Sequence, residues 1–201
     1  EEQNAENIIE STEKSLYHLA ERGSFSQSFL KFNQALDQTI EMATLAMQND
    51  QGIVGVPTGL TDLDEKLGGL HKSDLIILAG RPSMGKTAFA FNIAENVARQ
   101  TDQTVLIFSM EMSSDQVVRR FISSISNIDL QRLMRGQLAD TDWQGIDKAL
   151  SVLSKKKILL DDTPALSPSE VKARARRVKR ESGDLAMIVV DYLQLMQVPG
   201  K

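Results

Sequence analysis

The residues best suited to chemistry form one run, Gly80-Arg81-Pro82-Ser83-Met84-Gly85-Lys86-Thr87. Two glycines stand at a fixed spacing and are followed by a lysine and a hydroxyl, between an apolar stretch at 75–79 and a helical pattern from Ala88 onward. This order predicts a strand, a phosphate-cradling loop and a helix. Glycines let successive backbone N–H groups turn inward around a triphosphate, and the helix N-terminus adds partial positive charge facing the anion. In such a loop residues 80–85 wrap the phosphates, Lys86 reaches the β- and γ-phosphates, and Thr87 offers its hydroxyl to Mg²⁺.

A nucleotide site of this kind needs a second metal anchor. Met187-Ile188-Val189-Val190-Asp191 supplies four apolar residues ending in a carboxylate, the pattern of a buried strand with an acid at its C-terminal end. Ligands of open α/β sheets collect at the carboxyl ends of the strands, so Asp191 and the loop after Ala79 are expected to converge there on the phosphates and Mg²⁺. A further apolar run at 105–108 leads into Ser109-Met110-Glu111-Met112-Ser113. Glu111 is thereby set on the same rim, where a carboxylate can orient and deprotonate an attacking water. A glutamate before the Ser113 cap also suits the helix dipole, so spacing alone leaves both readings open.

Other charged groups carry less. Lys172, Arg174, Arg176, Arg177, Lys179 and Arg180 place six cations in nine positions, with Val171, Ala175 and Val178 on the opposite stripe. Such a run can contact a phosphate backbone, but it is more often the solvated face of a helix above a sheet, and Lys155-Lys156-Lys157 reads the same way. Aromatic residues make up 5% of the chain and interleave with neither run, which gives no support to base stacking there. The chain has no cysteine, which excludes disulfides and thiolate chemistry, and two distant histidines, His18 and His71, make a poor metal site. No apolar stretch approaches the ~20 residues that span a bilayer, and the N-terminus lacks a signal-peptide pattern, so a cytoplasmic protein without membrane contact is expected.

The elements that position these residues follow from periodicity. Residues 5–21 place Ile8, Ile9, Thr12, Leu16, Leu19 and Ala20 near one helical face, Gly23 stops the pattern, and Phe29, Phe32, Leu36, Ile40, Ala43 and Met47 continue it in a second helix. Two such helices cannot bury their stripes alone and require a partner surface. Residues 1–50 carry a net charge of −6 against +2 for 51–201, which separates a helical arm from an α/β domain. After a linker at 52–59, Thr61-Asp62-Leu63-Asp64 predicts a short capped helix. Apolar runs at 75–79, 105–108, 158–160 and 187–190 then alternate with helical segments near 87–99, 114–125, 141–154 and 168–182, which indicates a mostly parallel sheet covered by helices. Ser167-Pro168-Ser169-Glu170 is a capping box with proline at the first helical position.

The chain resembles the bacterial replicative DNA helicases of the DnaB type, hexameric enzymes with a RecA-like ATPase core. The resemblance rests on the run 80–87, on Phe108-Ser109-Met110-Glu111-Met112-Ser113 and on Ile188-Val189-Val190-Asp191-Tyr192-Leu193-Gln194-Leu195-Met196. Asp74-Leu75-Ile76-Ile77, Arg135-Gly136-Gln137-Leu138 and Ala175-Arg176-Arg177 extend it over nearly the whole length. It implies an α/β, RecA-like P-loop core after a helical linker, with 1–50 as a subunit-docking arm and 51–201 as a partial motor domain. It also implies ATP and Mg²⁺ as cofactors, Glu111 as catalytic base, Lys86 and Thr87 as phosphate and metal contacts, and Asp191 as the outer metal carboxylate. The implied activity is ATP-driven translocation on single-stranded DNA with duplex unwinding at the replication fork, by a homo-hexamer that meets a helicase loader and primase.

The family's collar domain, sensor-glutamine strand, DNA-contacting loops and arginine finger are not found in these 201 residues. The chain therefore resembles a fragment that contacts DNA mainly through regions it lacks. By analogy with other phosphoryl-transfer enzymes, loss of the finger costs about 10³–10⁵ in turnover, so weak nucleotide binding and slow hydrolysis are expected of the chain alone. Two alternatives stand beside this: a RecA-like ATPase of recombination or repair, and a non-catalytic module that binds a sister subunit, a loader or primase.

Overall fold

The computed structural model describes residues 32–48 and 53–197, together with Thr12 and Ser15, both helical. The rest of the helix expected at 5–21, its stop at Gly23, and His18 and Phe29 lie outside the described residues. Contacts divide the chain into two units, Glu1–Gln48 and Asn49–Lys201.

In the first unit, α1 (Phe32–Gln48) follows from a run free of Gly and Pro with apolar residues at steps of three and four. Its stripe is in the open: Phe32 is 77% exposed, Leu36 47%, Ile40 57% and Met47 89%. This is the unburied apolar face that the periodicity predicts.

The second unit contains α2 (Thr61–Leu67), α3 (Lys86–Gln100), β1 (Thr104–Ser109), α4 (Ser114–Ser126), α5 (Leu130–Arg135), α6 (Asp140–Leu153), β2 (Ile158–Asp161), α7 (Pro168–Ser182) and β3 (Leu185–Asp191). The strands form a parallel sheet in the order β2-β1-β3. All six residues of β1 are buried, which is why it reads as a continuous apolar run rather than an alternation. Its side chains still divide by parity between two cores. Val105 and Ile107 pack with Phe91, Ala94 and Val97 of α3, Val117 and Phe121 of α4, and Val189 of β3. Leu106 and Phe108 pack instead with Leu166 and with Ala175, Val171 and Val178 of α7. Burying one such large apolar side chain contributes about 1.5–3 kcal/mol, so the two layers together fix the strand register.

One expected strand is absent from the sheet. Residues 75–79 are assigned no strand, and Leu75 is 85% exposed, Ile76 57%, Ile77 70% and Leu78 40%. A strand needs a ladder partner as well as an apolar sequence. The ladder runs β2-β1-β3, and 75–79 pairs with none of these strands, not even along the outer edges of β2 and β3.

The helix ends have local causes. The Ser167 amide donates to Glu170 Oε2 at 2.7 Å and the Glu170 amide to Ser167 Oγ at 3.2 Å, the capping box predicted for α7. The start of α2 differs from the expected cap. Its N-cap is Leu60, without a side-chain bond, and the buried Asp64 instead accepts from the Thr58 amide and hydroxyl, both at 2.7 Å, and from the Gly59 amide at 3.1 Å. That carboxylate ties the linker to the first turn of α2. The helix α5, unseen in the periodicity, spans a single short run whose N-cap Asp129 accepts from Gln131 and Arg132 and whose end is Gly136 at φ 66°.

Candidate nucleotide-binding site

The loop 80–85 is exposed and enters α3 through Gly85, whose φ of 85° is left-handed. An added Cβ at Gly85 would meet nothing within 4 Å, so glycine is required there by backbone conformation, with open space left beside it. Ser83 is also left-handed, at φ 65°, and the Met84 amide closes the turn on the Arg81 carbonyl at 3.2 Å. Pro82 and Met84 face solvent, Met84 at 75% exposure, and Gly80 has ordinary van der Waals space around it. No side chain caps α3. The first amides of a helix lack intrahelical acceptors, so this uncapped start leaves donors of the kind an anion site uses.

Strand parity brings the acid to this mouth. Asp191 pairs in register with Ser109 and shares the face of Val189, the face covered by α3. Thr87 Oγ1 donates to Asp191 Oδ2 at 3.0 Å, and Lys86 Nζ lies 3.8 Å from Asp191 Oδ1. The Asp191 side chain is 5% exposed and that of Lys86 27%, so the carboxylate is enclosed while the ammonium reaches the opening. Lys86 Nζ also lies 4.2 Å from the centroid of the Tyr192 ring, a contact that the linear sequence does not signal.

Among the described residues no group of three or more His, Cys, Asp or Glu gathers as a metal site. The Thr87 hydroxyl and Asp191 carboxylate are hard oxygen donors held together, a set that fits Mg²⁺, which takes one or two protein oxygens with phosphate and water.

Glu111 is exposed, two residues beyond Ser109 on the rim shared by β1 and β3. The turn that carries it is held by Ser109 Oγ donating to the Met112 carbonyl at 2.7 Å and by the Met110 amide donating to the Asp191 carbonyl at 2.9 Å. Next to it the Ser114 amide donates to Asp162 at 2.8 Å and holds that carboxyl below its ordinary pKa.

The cationic face of α7 is partly engaged within the fold. Arg174 Nη1 donates to Asp161 Oδ2 at 2.6 Å and Thr163 Oγ1 at 2.8 Å, and Arg177 Nε to Glu181 Oε1 at 2.9 Å. Burial works to raise the Asp161 carboxyl, and the hydrogen bonds from Arg174 and Thr163 outweigh it, so its pKa lies below the ordinary value. Lys156 of the lysine run donates to the Arg99 carbonyl at 3.0 Å.

Residues 55–201 match the family model for the DnaB-like helicase C terminal domain. The chain belongs to this family. It is 45% identical over 198 residues to the replicative DNA helicase DnaB of Buchnera aphidicola subsp. Schizaphis graminum, covering 97% of this chain and 43% of that protein. It is 43% identical over 200 residues to the replicative DNA helicase DnaC of Bacillus subtilis, covering 100% of this chain and 44% of that protein. The chain thus spans less than half the length of these curated relatives. Among solved structures, an ATPase domain superposes with a TM-score of 0.77 at 30% identity, covering 87% of this chain and 61% of that one. A DnaB-like replicative helicase, solved in a study of its interactions with primase, superposes at 0.74 with 28% identity, covering 98% of this chain and 49% of that one. The fold is therefore the α/β, RecA-like core of DnaB-like helicases preceded by helical structure. No described helix is long and apolar enough to cross a membrane.

Proposed function

We propose that this chain carries the ATP-binding and hydrolysing machinery of a replicative DNA helicase that unwinds duplex DNA at the fork. The observation that carries this reading is the meeting of Lys86, Thr87 and Asp191 at the open mouth of the 80–85 loop. The loop amides and the start of α3 bind the triphosphate, and Lys86 engages its β- and γ-phosphates. Thr87 and Asp191 would hold Mg²⁺, which would supply charge neutralisation to the phosphates. Glu111, on the same rim, accepts a proton from the water whose oxygen attacks the γ-phosphorus as the bond to ADP breaks. The parallel sheet carries Asp191 at the end of β3, and the turn after β1 that carries Glu111 is tied to it by the Met110 amide on the Asp191 carbonyl.

The exposed stripe of α1 supports a second element of the proposal: residues 1–50 form an arm that docks on a neighbouring subunit, giving a homo-oligomer of hexameric type in the cytoplasm. Single-stranded DNA, a loader and primase are the partners this reading assigns to the whole polypeptide. The 201-residue chain by itself hydrolyses ATP slowly, since residues 75–79 lead into the loop without a ladder to hold them.

Strand displacement on a forked DNA tests the reading in the full-length protein. The parent unwinds the fork with ATP, and Glu111→Gln retains ATP binding while losing hydrolysis about 10²–10⁴-fold and unwinding with it. A parent that pairs or coats strands without processive unwinding favours a recombination ATPase, and normal turnover by Glu111→Gln removes the base assignment.

A further inference from the structure

We propose that Tyr192 is a positioning residue for nucleotide binding, its ring face holding the Lys86 ammonium at the mouth of the phosphate loop. This rests on the nucleotide-site reading above and adds to it a residue outside the loop and outside the metal-binding pair.

A lysine side chain has four rotatable bonds and loses rotamer freedom when fixed, so a lysine that must meet a phosphate gains from being held beforehand. Two groups hold Lys86. Asp191 Oδ1 stands at 3.8 Å, at the long end of an ion pair, and its other oxygen already accepts the Thr87 hydroxyl. The Tyr192 ring centroid lies 4.2 Å from Nζ, well inside the range at which an aromatic face attracts a cation. The two holders are not equivalent. A carboxylate that turns to a metal ion loses its pull on the ammonium, whereas an aromatic quadrupole is indifferent to the metal. The ring is the holder that persists once Asp191 is engaged.

The ring's own position is fixed from the opposite face of the sheet. Tyr192 directly follows β3 and is the N-cap of the short turn Leu193–Leu195. Its carbonyl accepts from the Leu195 amide at 3.1 Å. Leu195 and Met196 pack against the core built on Leu106 and Phe108. Tyr192 is thus held between that core and the phosphate loop, half-buried, with its ring beneath the lysine.

A double-mutant cycle in the full-length protein tests this, reading equilibrium binding of a fluorescent ADP with Mg²⁺ for the parent, Tyr192→Leu, Lys86→Ala and the double variant. Tyr192→Leu is expected to weaken binding about threefold to tenfold, the range of a partly exposed cation–π contact. Tyr192→Phe, which keeps the ring and loses the hydroxyl, is expected within about twofold of the parent. In the Lys86→Ala background, Tyr192→Leu is expected to cost nothing further. Tyr192→Met replaces the leucine variant if the latter melts early without nucleotide. Three results overturn the proposal alone: binding by Tyr192→Leu equal to or tighter than the parent's, a phenylalanine variant as weak as the leucine one, or an equal loss with and without Lys86. Unchanged binding by Lys86→Ala overturns the phosphate-site reading, and this proposal with it.

Discussion

Replacing Asp191 by asparagine separates a carboxylate kept for a ligand from one kept for the fold. In the structure the side chain is 5% exposed and faces the Lys86 ammonium at 3.8 Å and the Thr87 hydroxyl at 3.0 Å. At that separation the gross attraction to the ammonium is about 4 kcal/mol with an effective dielectric of 20. Lys86 is 27% exposed, and enclosing a carboxylate costs several kcal/mol in lost hydration, so the net value falls to about 1 kcal/mol of either sign. The Thr87 hydrogen bond survives to the amide oxygen and weakens by about 1 kcal/mol. Without ligand, Asp191→Asn therefore loses at most about 2 kcal/mol and is expected to melt within about 8 °C of the parent. The response to Mg²⁺ and nucleotide is different. A ligand at 100 times its Kd stabilises the folded state by about 2.7 kcal/mol, which for a domain of this size is about 5–11 °C. Scanning fluorimetry of full-length protein with a non-hydrolysable ATP analogue, with Mg²⁺ and with chelator, is expected to show that shift in the parent and little of it in the variant. A variant that melts far below the parent without ligand, or that keeps the whole Mg²⁺-dependent shift, refutes the reasoning.

The remaining predictions concern packing and charge. Asp161→Asn removes an acid whose folded pKa lies below its ordinary 3.8, so the carboxylate stabilises the fold above that value and the contribution is lost as pH falls through the folded pKa. With Arg174 40% exposed the effect at neutral pH is about 1 kcal/mol or less; urea midpoints from about pH 7 to 3 should show the parent's advantage constant above about pH 5 and shrinking below about pH 4, and a gap independent of pH contradicts it. Leu36→Asp with Ile40→Asp places charge on the open stripe of α1 and is expected to lower the assembly state in sedimentation without changing the melting of the ATPase unit; assembly like the parent's excludes a docking role for that stripe.

Features set by neighbours in the chain were legible in the sequence. The capping box at Ser167 and the placing of Asp191 at a strand's end follow from a few adjacent residues and are found where expected, and the helix expected near 87–99 is found over Lys86–Gln100. Features that depend on distant partners were not. The run 75–79 has the composition of a buried strand, and whether it pairs depends on a ladder partner distant in sequence, which composition does not reveal. Asp64 looks like a helix-start acid, and its bonds to Thr58 and Gly59 appear only once the linker folds back. Tyr192 is an unremarked neighbour of an acid in sequence and a partner of Lys86 in space, a relation that needs the parallel pairing of β3 beside α3. Helix α5 is too short for periodicity to register, although Asp129 and Gly136 mark its two ends.

In the proposed site, main-chain amides at 83–87, one cation and a hydroxyl–carboxylate pair surround a triphosphate. A crystal structure of the full-length protein with a non-hydrolysable ATP analogue and Mg²⁺ tests it most directly. The phosphates are expected against the loop, with Lys86 on the β- and γ-oxygens and the metal between Thr87 and Asp191. An analogue bound elsewhere, or these three side chains turned away from it, would rule this site out.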